Sequence, residues 1–285
     1  MSAELFILYN PHAGNGRGEA IANKLRENAK YASAKIVDMT DIKDYSEFFA
    51  DKAGATVIIC GGDGTLNRFI NETDGITINN ELYYFASGSG NDFLRDLDIA
   101  EQTEPVSLNK YIESLPVCEI NGKCYKVLNG VGYGIDGYCC EVGDALKAQN
   151  VQKIDYTAIA IKGLLFKYKT CGGSVTVDGN TKKYKRIWIA SGMNGRYYGG
   201  GMMPCPEQNR LDPENKVSTC VFHDSGKLGT LLIFPSLFKG EHIKHKKNVD
   251  VLSGKKITVK FDSPRPLQID GETILGVSEY SVYYR

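Results

Sequence analysis

The sequence carries no excess charge of either sign, because 34 Lys and Arg offset 34 Asp and Glu across 285 residues. That balance removes any global electrostatic argument for nucleic-acid binding, and it requires any membrane contact to be local. Long hydrophobic runs are also missing. Leu5 to Tyr9 is far too short for a signal peptide or a membrane span, and Met1-Ser2-Ala3-Glu4 supplies no basic flank, so a cytoplasmic protein is expected. No Cys-x-x-Cys pair occurs among the eight cysteines, and the adjacent Cys139 and Cys140 do not easily point at one tetrahedral ion, which argues against zinc. Several cysteines sit inside apolar runs such as Val57-Ile58-Ile59-Cys60, so reduced, mostly buried thiols are expected in place of disulfides. His242 and His245, three apart in a Lys-rich stretch, read as a polar surface or cleft feature. Internal repeats and low-complexity segments are absent.

What is present is a chain with 42% hydrophobic residues, long enough for two domains. Up to residue 116, short apolar runs alternate with helical patterns, as in parallel strands joined by crossover helices. The expected strands are Leu5 to Tyr9, Ala34 to Met39, Thr56 to Cys60 and Leu82 to Ala86. Residues 117–285 instead show period-two alternation, at Ser174 to Val177, Lys185 to Ala190, Val217 to Phe222, Lys256 to Phe261 and Ser281 to Tyr284, which predicts mainly antiparallel β-structure. Asp178-Gly179-Asn180 is a hairpin signal. Two helices are expected within this half, roughly from Lys153 to Lys169 and from Gly226 to Phe238, the second bent or ended near Pro235.

Three glycine-rich turns follow three of the expected parallel strands: Asn10-Pro11-His12-Ala13-Gly14-Asn15-Gly16, Gly61-Gly62-Asp63-Gly64-Thr65-Leu66-Asn67 and Ser87-Gly88-Ser89-Gly90-Asn91-Asp92. In an open α/β sheet such turns gather at the carboxyl edge, where ligands bind. Glycine removes the Cβ that would hold a phosphate away, and amides at a helix start supply donors for it. Any single turn of this kind reads as a plain strand-to-helix connection; three together point to a polyphosphate. Asp63, a carboxylate among phosphate-binding amides, makes electrostatic sense when a cation lies between it and the phosphates, and it implies Mg²⁺. The pattern is neither a Walker A loop nor a dinucleotide fingerprint.

The residues Gly61-Gly62-Asp63-Gly64-Thr65-Leu66-Asn67 resemble the nucleotide-binding signature of the diacylglycerol kinase catalytic-domain family, which is related to sphingosine and ceramide kinases. NAD kinases and phosphofructokinases are similar at this motif, so other matches decide. Asn10-Pro11 with Gly14 resembles the family's opening turn, and Gly88-Ser89-Gly90-Asn91-Asp92-Phe93 with Arg95 its third, with Ser89 in place of the usual Thr. Further matches are Ile161-Lys162-Gly163, Gly199-Gly200-Gly201-Met202, Gly240-Glu241-His242 with Lys244-His245, and Asp270-Gly271-Glu272. They span almost the whole chain and look closest to the soluble bacterial branch. The resemblance implies an N-terminal Rossmann-like α/β nucleotide-binding domain, a C-terminal, mainly antiparallel β-sandwich domain, and ATP bound in a cleft between them.

Carried over by position, Asp270 resembles the family's general base, while Glu272 and Asp63 resemble members of its acidic, water and magnesium network. Read by itself, Asp270-Gly271 is a hairpin turn. Asn10, Pro11, His12, Ala13, Gly14, Thr40, Gly61, Gly62, Gly64, Thr65, Leu66, Asn67 and Ser89 are the implied nucleotide contacts. Arg95 and Lys162 resemble basic residues that favour anionic membrane surfaces. The sequence departs from the family pattern at Arg68, where Glu is common, at Ala86, where Pro is usual, and at Cys118-Glu119, in the place of a usual Asp. Residues 206–217 stand where the family has an Asp-rich structural metal loop, and only Asp212 remains as an expected ligand there.

The expected activity is therefore ATP- and Mg²⁺-dependent phosphorylation of a hydroxyl on diacylglycerol or a similar lipid alcohol, with peripheral membrane contact and no nucleic-acid partner. A homodimer is compatible with the sequence. In the segment from Lys153 to Lys169, Ile154, Ala158, Ile161, Leu165 and Tyr168 fall on one helical stripe; it either skims a membrane with its lysines at headgroups or packs on the β half. Two further readings stay open, a kinase of a soluble alcohol such as NAD or a sugar, and a nucleotide-binding regulatory protein without turnover.

Overall fold

The computed structural model describes residues 4–87, 90–151 and 154–285; Gly88, Ser89 and Lys153 lie outside the described residues. The chain divides into two compact units, Met1–Ser114 and Leu115–Arg285.

In the first unit, β1 (Leu5–Tyr9), β2 (Lys35–Asp38), β3 (Thr56–Gly61), β4 (Glu81–Ala86) and the short β5 (Val106–Ser107) form one sheet in the order β2-β1-β3-β4-β5. The first four are mutually parallel, and β5 caps the edge antiparallel to β4. Ile7, Leu8 and Val57 to Cys60 are buried, as strands covered on both faces require. The connections include α1 (Ala13–Gly16), α2 (Gly18–Arg26), α3 (Tyr45–Asp51), α4 (Asp63–Glu72), α5 (Asp92–Asp96) and α6 (Asn109–Ile112). Ala22 and Leu25 of α2 join Ile7 and Ile58 in one core. Phe69 of α4 packs edge-on against Tyr45 and Phe49 of α3, with ring centroids 5.6 and 6.2 Å apart. Because β1 lies between β2 and β3, strand order reverses between β1 and β3, and the crevice at the carboxyl ends of those two strands is where such sheets bind ligands.

The second unit is built from β6 (Val117–Ile120), β7 (Lys123–Lys126), β8 (Gly130–Tyr133), β9 (Cys171–Val177), β10 (Asn180–Ala190), β11 (Gly192–Met193), β12 (Val217–His223), β13 (Val249–Gly254), β14 (Lys256–Ile269) and β15 (Glu272–Tyr283). Its pairings are all antiparallel. The long β14 pairs with β9 through Ile257 to Phe261 and with β8 through Leu267 to Ile269, so the strand order closes on itself around a core. Tyr133 and Phe261 stack at 4.0 Å in that core, with Tyr280 against them. Asp178 and Gly179 make the β9–β10 turn at φ 48° and 84°, the left-handed pair a two-residue hairpin demands.

Two features depart from the sequence pattern. A 14-residue helix, α7 (Ile135–Ala148), lies where no helix was expected. Its sequence, with two glycines and adjacent cysteines, has no strong helical periodicity; it forms because Ile135 and Cys139 drop into a second core shared with Leu164, Trp188 and Phe222. The segment expected to be one helix from Lys153 to Lys169 is α8 (Tyr156–Lys162) followed by a π-turn at Gly163–Lys167, closed by the Tyr168 N–H on the Gly163 carbonyl at 2.8 Å. The wider turn moves the buried stripe to Ala160, Leu164 and Tyr168 and leaves Ile161 exposed. Gly163 is required here, since a Cβ would meet the Tyr138 ring of α7 at 2.7 Å. The other expected helix, from Gly226 to Phe238, is found as α9 (Lys227–Ile233), ending next to Pro235 as expected and continued by a 3₁₀ stretch, Phe234–Lys239, with Pro235 in its first turn. Among the described residues, no helix is long and apolar enough to cross a membrane.

Candidate active site

The first unit wires its glycine turns together through side chains. Asn10, just past β1, donates from Nδ2 to Thr65 Oγ1 of α4 at 3.1 Å, and its own Oδ1 accepts the His12 N–H at 2.9 Å. Thr65 is buried, and a Cβ on Gly61 would lie 2.4 Å from its side chain, so glycine at 61 lets the helix close onto the strand end. Asp63, the first residue of α4, reaches across to the third turn: its two carboxylate oxygens accept the N–H groups of Asp92 at 2.9 Å and Phe93 at 3.0 Å. The Gly61 carbonyl accepts the Ser87 N–H at 2.8 Å and the Tyr84 hydroxyl at 3.0 Å. The turn after β1, the start of α4, and Ser87 with the start of α5 are thus tied together at the carboxyl edge.

The ten-residue α4 has Gly62 at its N-cap position and no side-chain cap. Its first amides have no intrahelical acceptor and add to the helix's positive end, which is what an anionic phosphate uses. A Cβ on Gly64 would meet nothing within 4 Å, so there is open space at this end. Leu66 is different: its side chain is fully buried and its N–H bonds the Gly62 carbonyl, so it packs the helix and offers a ligand no side chain. Asn67 is buried beside Asn71, and Arg68 pairs with Glu72 at 2.7 Å on the exposed face. Thr40 lies past β2, its N–H and hydroxyl both donating to Asp38 at 2.8 and 2.7 Å. Arg95 is paired with Asp92 at 3.5 Å. Ala86, in the usual place of proline, donates its N–H to Gln102 Oε1 at 2.7 Å, a bond proline could not make.

In the second unit Asp270 and Gly271 form the β14–β15 hairpin turn, at φ 48° and 97°. The turn aims the Asp270 carboxylate at one backbone segment: Oδ2 accepts from Leu128 at 2.7 Å, and Oδ1 from Asn129 and Gly130 at 2.8 and 2.9 Å. The hairpin expectation for Asp270 is met, and its carboxylate is held by three backbone amides. Glu272 follows, exposed, as the first residue of β15. Arg210, a buried residue that the sequence did not single out, holds the same segment through the Leu128 carbonyl at 3.3 Å and Asn129 Oδ1 at 3.0 Å. No local pattern marks that arginine; its role depends on a contact 82 residues away in sequence.

The loop at 206–217 is held by its own side chains. Gln208 donates to the carbonyls of Asn194 and Lys216 at 3.3 and 3.0 Å and accepts from the Ser218 hydroxyl at 2.5 Å. The Asp212 carboxylate caps the loop, accepting the N–H groups of Glu214 and Lys216 at 3.1 and 3.2 Å. Among the described residues, no three His, Cys, Asp or Glu side chains gather as a metal set. Asp63, with both oxygens already bound by amides, fits Mg²⁺ held through water and substrate phosphates, the mode this small ion favours. Asp63 and Glu272 lie in different units.

Other titratable groups are buried. Asp136, at the start of α7, accepts a hydrogen bond from Tyr198, and burial raises its carboxyl to about 6 against that bond. The turn Gly199-Gly200-Gly201, all at positive φ, returns the chain so that Tyr198 and Met202 bridge. His242 is fully buried on the Pro204 carbonyl at 2.8 Å, and burial lowers its pKa. All eight cysteines are free; burial pushes the Cys60 and Cys140 thiols up to about 12, so they are poor nucleophiles.

Comparison with known proteins sets this geometry in a family context. Residues 4–117 match the diacylglycerol kinase catalytic domain, and residues 129–280 match the YegS C-terminal NAD kinase beta sandwich-like domain. A Staphylococcus epidermidis protein named "Putative lipid kinase SERP0390" is 29% identical, over 93% of this chain and 89% of its own length. A Staphylococcus haemolyticus protein named "Putative lipid kinase SH2167" is 25% identical, over 94% and 89%. Among solved structures, a Bacillus anthracis protein described as "a putative diacylglycerol kinase" superposes with a TM-score of 0.70 at 19% identity, covering 99% of this chain and 92% of that one. That last likeness is one of fold.

Proposed function

The chain belongs to the family that joins a diacylglycerol kinase catalytic domain to a YegS-type β-sandwich domain, and from that premise we propose that it is an ATP- and Mg²⁺-dependent lipid kinase. Its acceptor is the free hydroxyl of diacylglycerol or a similar lipid alcohol. The observation that carries the reading is the pair of side-chain ties, Asn10 to Thr65 and Asp63 to the Asp92 and Phe93 amides, that makes one phosphate-binding surface of three turns. The names of the Staphylococcus relatives support the lipid as acceptor class.

Phosphoryl transfer asks a protein mainly to position reactants and stabilise charge. The α4 amides and the turn backbone hold the terminal phosphates. Asp63 would hold Mg²⁺ through water, and the ion would supply charge neutralisation at the phosphate oxygens. Asp270 takes the proton from the acceptor hydroxyl as that oxygen forms its bond to the γ-phosphorus and the bond to the ADP oxygen breaks. Its orientation is set by the Leu128, Asn129 and Gly130 amides.

The test is incubation of the purified protein with γ-labelled ATP and Mg²⁺ in a total lipid extract, followed by identification of the labelled product. A labelled phospholipid is expected. Phosphorylated NAD without any phospholipid would assign a soluble acceptor instead, and folded protein that takes up no Mg·ATP by calorimetry would end the kinase reading altogether.

A further inference from the structure

The outer edge of β4 is completed by side chains. Parallel pairing with β3 uses one edge of this strand, and the short β5 reaches only Tyr83 and Tyr84 on the other. To either side of that pairing, a single amide side chain supplies the two-point bond of a strand neighbour. Asn109 accepts the Leu82 N–H at 2.8 Å and donates to the Asn80 carbonyl at 2.9 Å. Gln102 accepts the Ala86 N–H at 2.7 Å and donates to the Tyr84 carbonyl at 2.7 Å. The two clamps are chemically alike and differ in place: Asn109 holds the end where β4 enters the sheet, and Gln102 holds the carboxyl end, beside the glycine turns.

From Gln102 a short chain of bonds leads into the site. The strand end it holds presents two donors to one oxygen, since the Tyr84 hydroxyl and the Ser87 N–H both bond the Gly61 carbonyl, at 3.0 and 2.8 Å. Gly61 is followed by Gly62 and Asp63, the N-cap and the first residue of α4. Asp63 in turn binds the Asp92 and Phe93 amides at the start of α5. The chain beyond α5 returns as the loop that carries Gln102, so the bonds close into a ring. That loop has a second anchor in Glu104, which accepts from Lys30 Nζ at 2.9 Å and from the Tyr31 hydroxyl.

We propose that Gln102 is a positioning residue for the nucleotide phosphates: by clamping the end of β4 it fixes the Gly61 carbonyl, and through it the direction in which the first α4 amides and the Asp63 carboxylate meet a polyphosphate. Gln102 acts through the backbone and holds no reactant itself. Donors in a preorganised site are aimed before the ligand arrives, so a small displacement of the strand that carries them is costly to binding. The inference rests on the kinase reading of the glycine turns and adds a residue that lies outside them.

Mg·ATP binding to the full chain is measured by calorimetry for wild type, Gln102→Ala, Gln102→Met and Asn109→Ala. Gln102→Met keeps the side chain's bulk and removes only its bonds. Every variant loses one amide clamp from the same strand edge, so Tm should fall by a similar few degrees in each. Only the Gln102 variants should bind Mg·ATP about tenfold more weakly, with stoichiometry unchanged. A merely structural loss lowers the stoichiometry through unfolded protein and leaves the Kd of the folded remainder as it was. Hydrogen exchange without nucleotide gives a second measurement: it should quicken over residues 61–67 in the Gln102 variants and not in Asn109→Ala. Equal Kd in wild type and both Gln102 variants, an equal loss of affinity in Asn109→Ala, or unchanged exchange over residues 61–67 overturns the positioning role and leaves the kinase reading intact. A folded wild type that takes up no Mg·ATP would overturn that reading and this inference together.

Discussion

Asn10 and Thr65, 55 residues apart in sequence, meet side chain to side chain at 3.1 Å and tie the turn after β1 to the helix after β3. The bond spans the position where strand order reverses, so it holds the two elements that would flank a bound polyphosphate. Thr65→Val keeps the shape and removes the acceptor, leaving the part-buried Asn10 amide without this partner at a cost of about 1 kcal/mol. The expected outcome is a slightly lower Tm with ATP affinity down about tenfold, read by calorimetry. Unchanged affinity would show that the two turns bind phosphate independently.

Asp270→Asn separates a chemical from a structural role. The carboxylate accepts three backbone amides, and an Asn side chain would turn its NH₂ toward at least one of those donors. A loss of about 1–3 kcal/mol in stability is expected from that mismatch alone. The kinase reading adds a fall in kcat of about 10³-fold or more with ATP affinity unchanged, since the lost group is a base and not a nucleotide ligand. Turnover retained in an equally destabilised variant would leave Asp270 as a hairpin residue only.

The first unit was far more legible in the sequence than the second. Parallel strands buried on both faces are short continuous apolar runs, and Leu5 to Tyr9 is found with the expected limits. The glycine turns could be placed because φ preference and strand ends are local properties. Residues 117–133 hid three strands: Lys123 to Lys126 is an exposed edge without alternation, and Gly130-Val131-Gly132-Tyr133 reads as a turn. It is a strand because it pairs with β14 on one side and β11 on the other, and glycine is needed at 132 because a Cβ there would meet Gln268 at 2.6 Å and Asp136 at 2.8 Å, constraints visible only in three dimensions. Arg210, Gln208 and Gln102 were missed for the same reason, as each satisfies backbone groups that sequence spacing does not reveal.

The loop around Asp212 should not depend on a divalent ion. Gln208, Arg210 and Asp212 already bond the carbonyls and amides that would otherwise need an organising cation. Chelation with EDTA in the absence of nucleotide is expected to leave Tm unchanged. Arg210→Met, by contrast, should lower Tm by several degrees and reduce kcat more than ATP affinity, because the segment it holds is the one that orients Asp270. A chelator-induced drop in Tm, reversed by Mg²⁺ or Ca²⁺ and absent in Asp212→Ala, would establish a metal at this loop.

Asp136 makes a pH prediction with a definite sign. Burial raises its carboxyl from 3.8 to about 6, so between those values the folded protein holds a proton that the unfolded chain has released. Stability at this residue is therefore lost as pH rises through 6 and regained as pH falls toward 4. A shift of roughly two units corresponds to about 3 kcal/mol at pH 8, falling to roughly half of that by pH 5. Asp136→Asn keeps an oxygen to accept the Tyr198 hydroxyl and cannot ionise, so it should stabilise the protein by about 1–3 kcal/mol at pH 8 and by clearly less at pH 5. Comparing urea midpoints of the two proteins at both pH values cancels every other titrating group. An equal shift at pH 8 and pH 5 would mean that the carboxylate is not desolvated at all, and a variant less stable at pH 8 would mean that its charge is held by partners at the start of α7 strongly enough to outweigh burial.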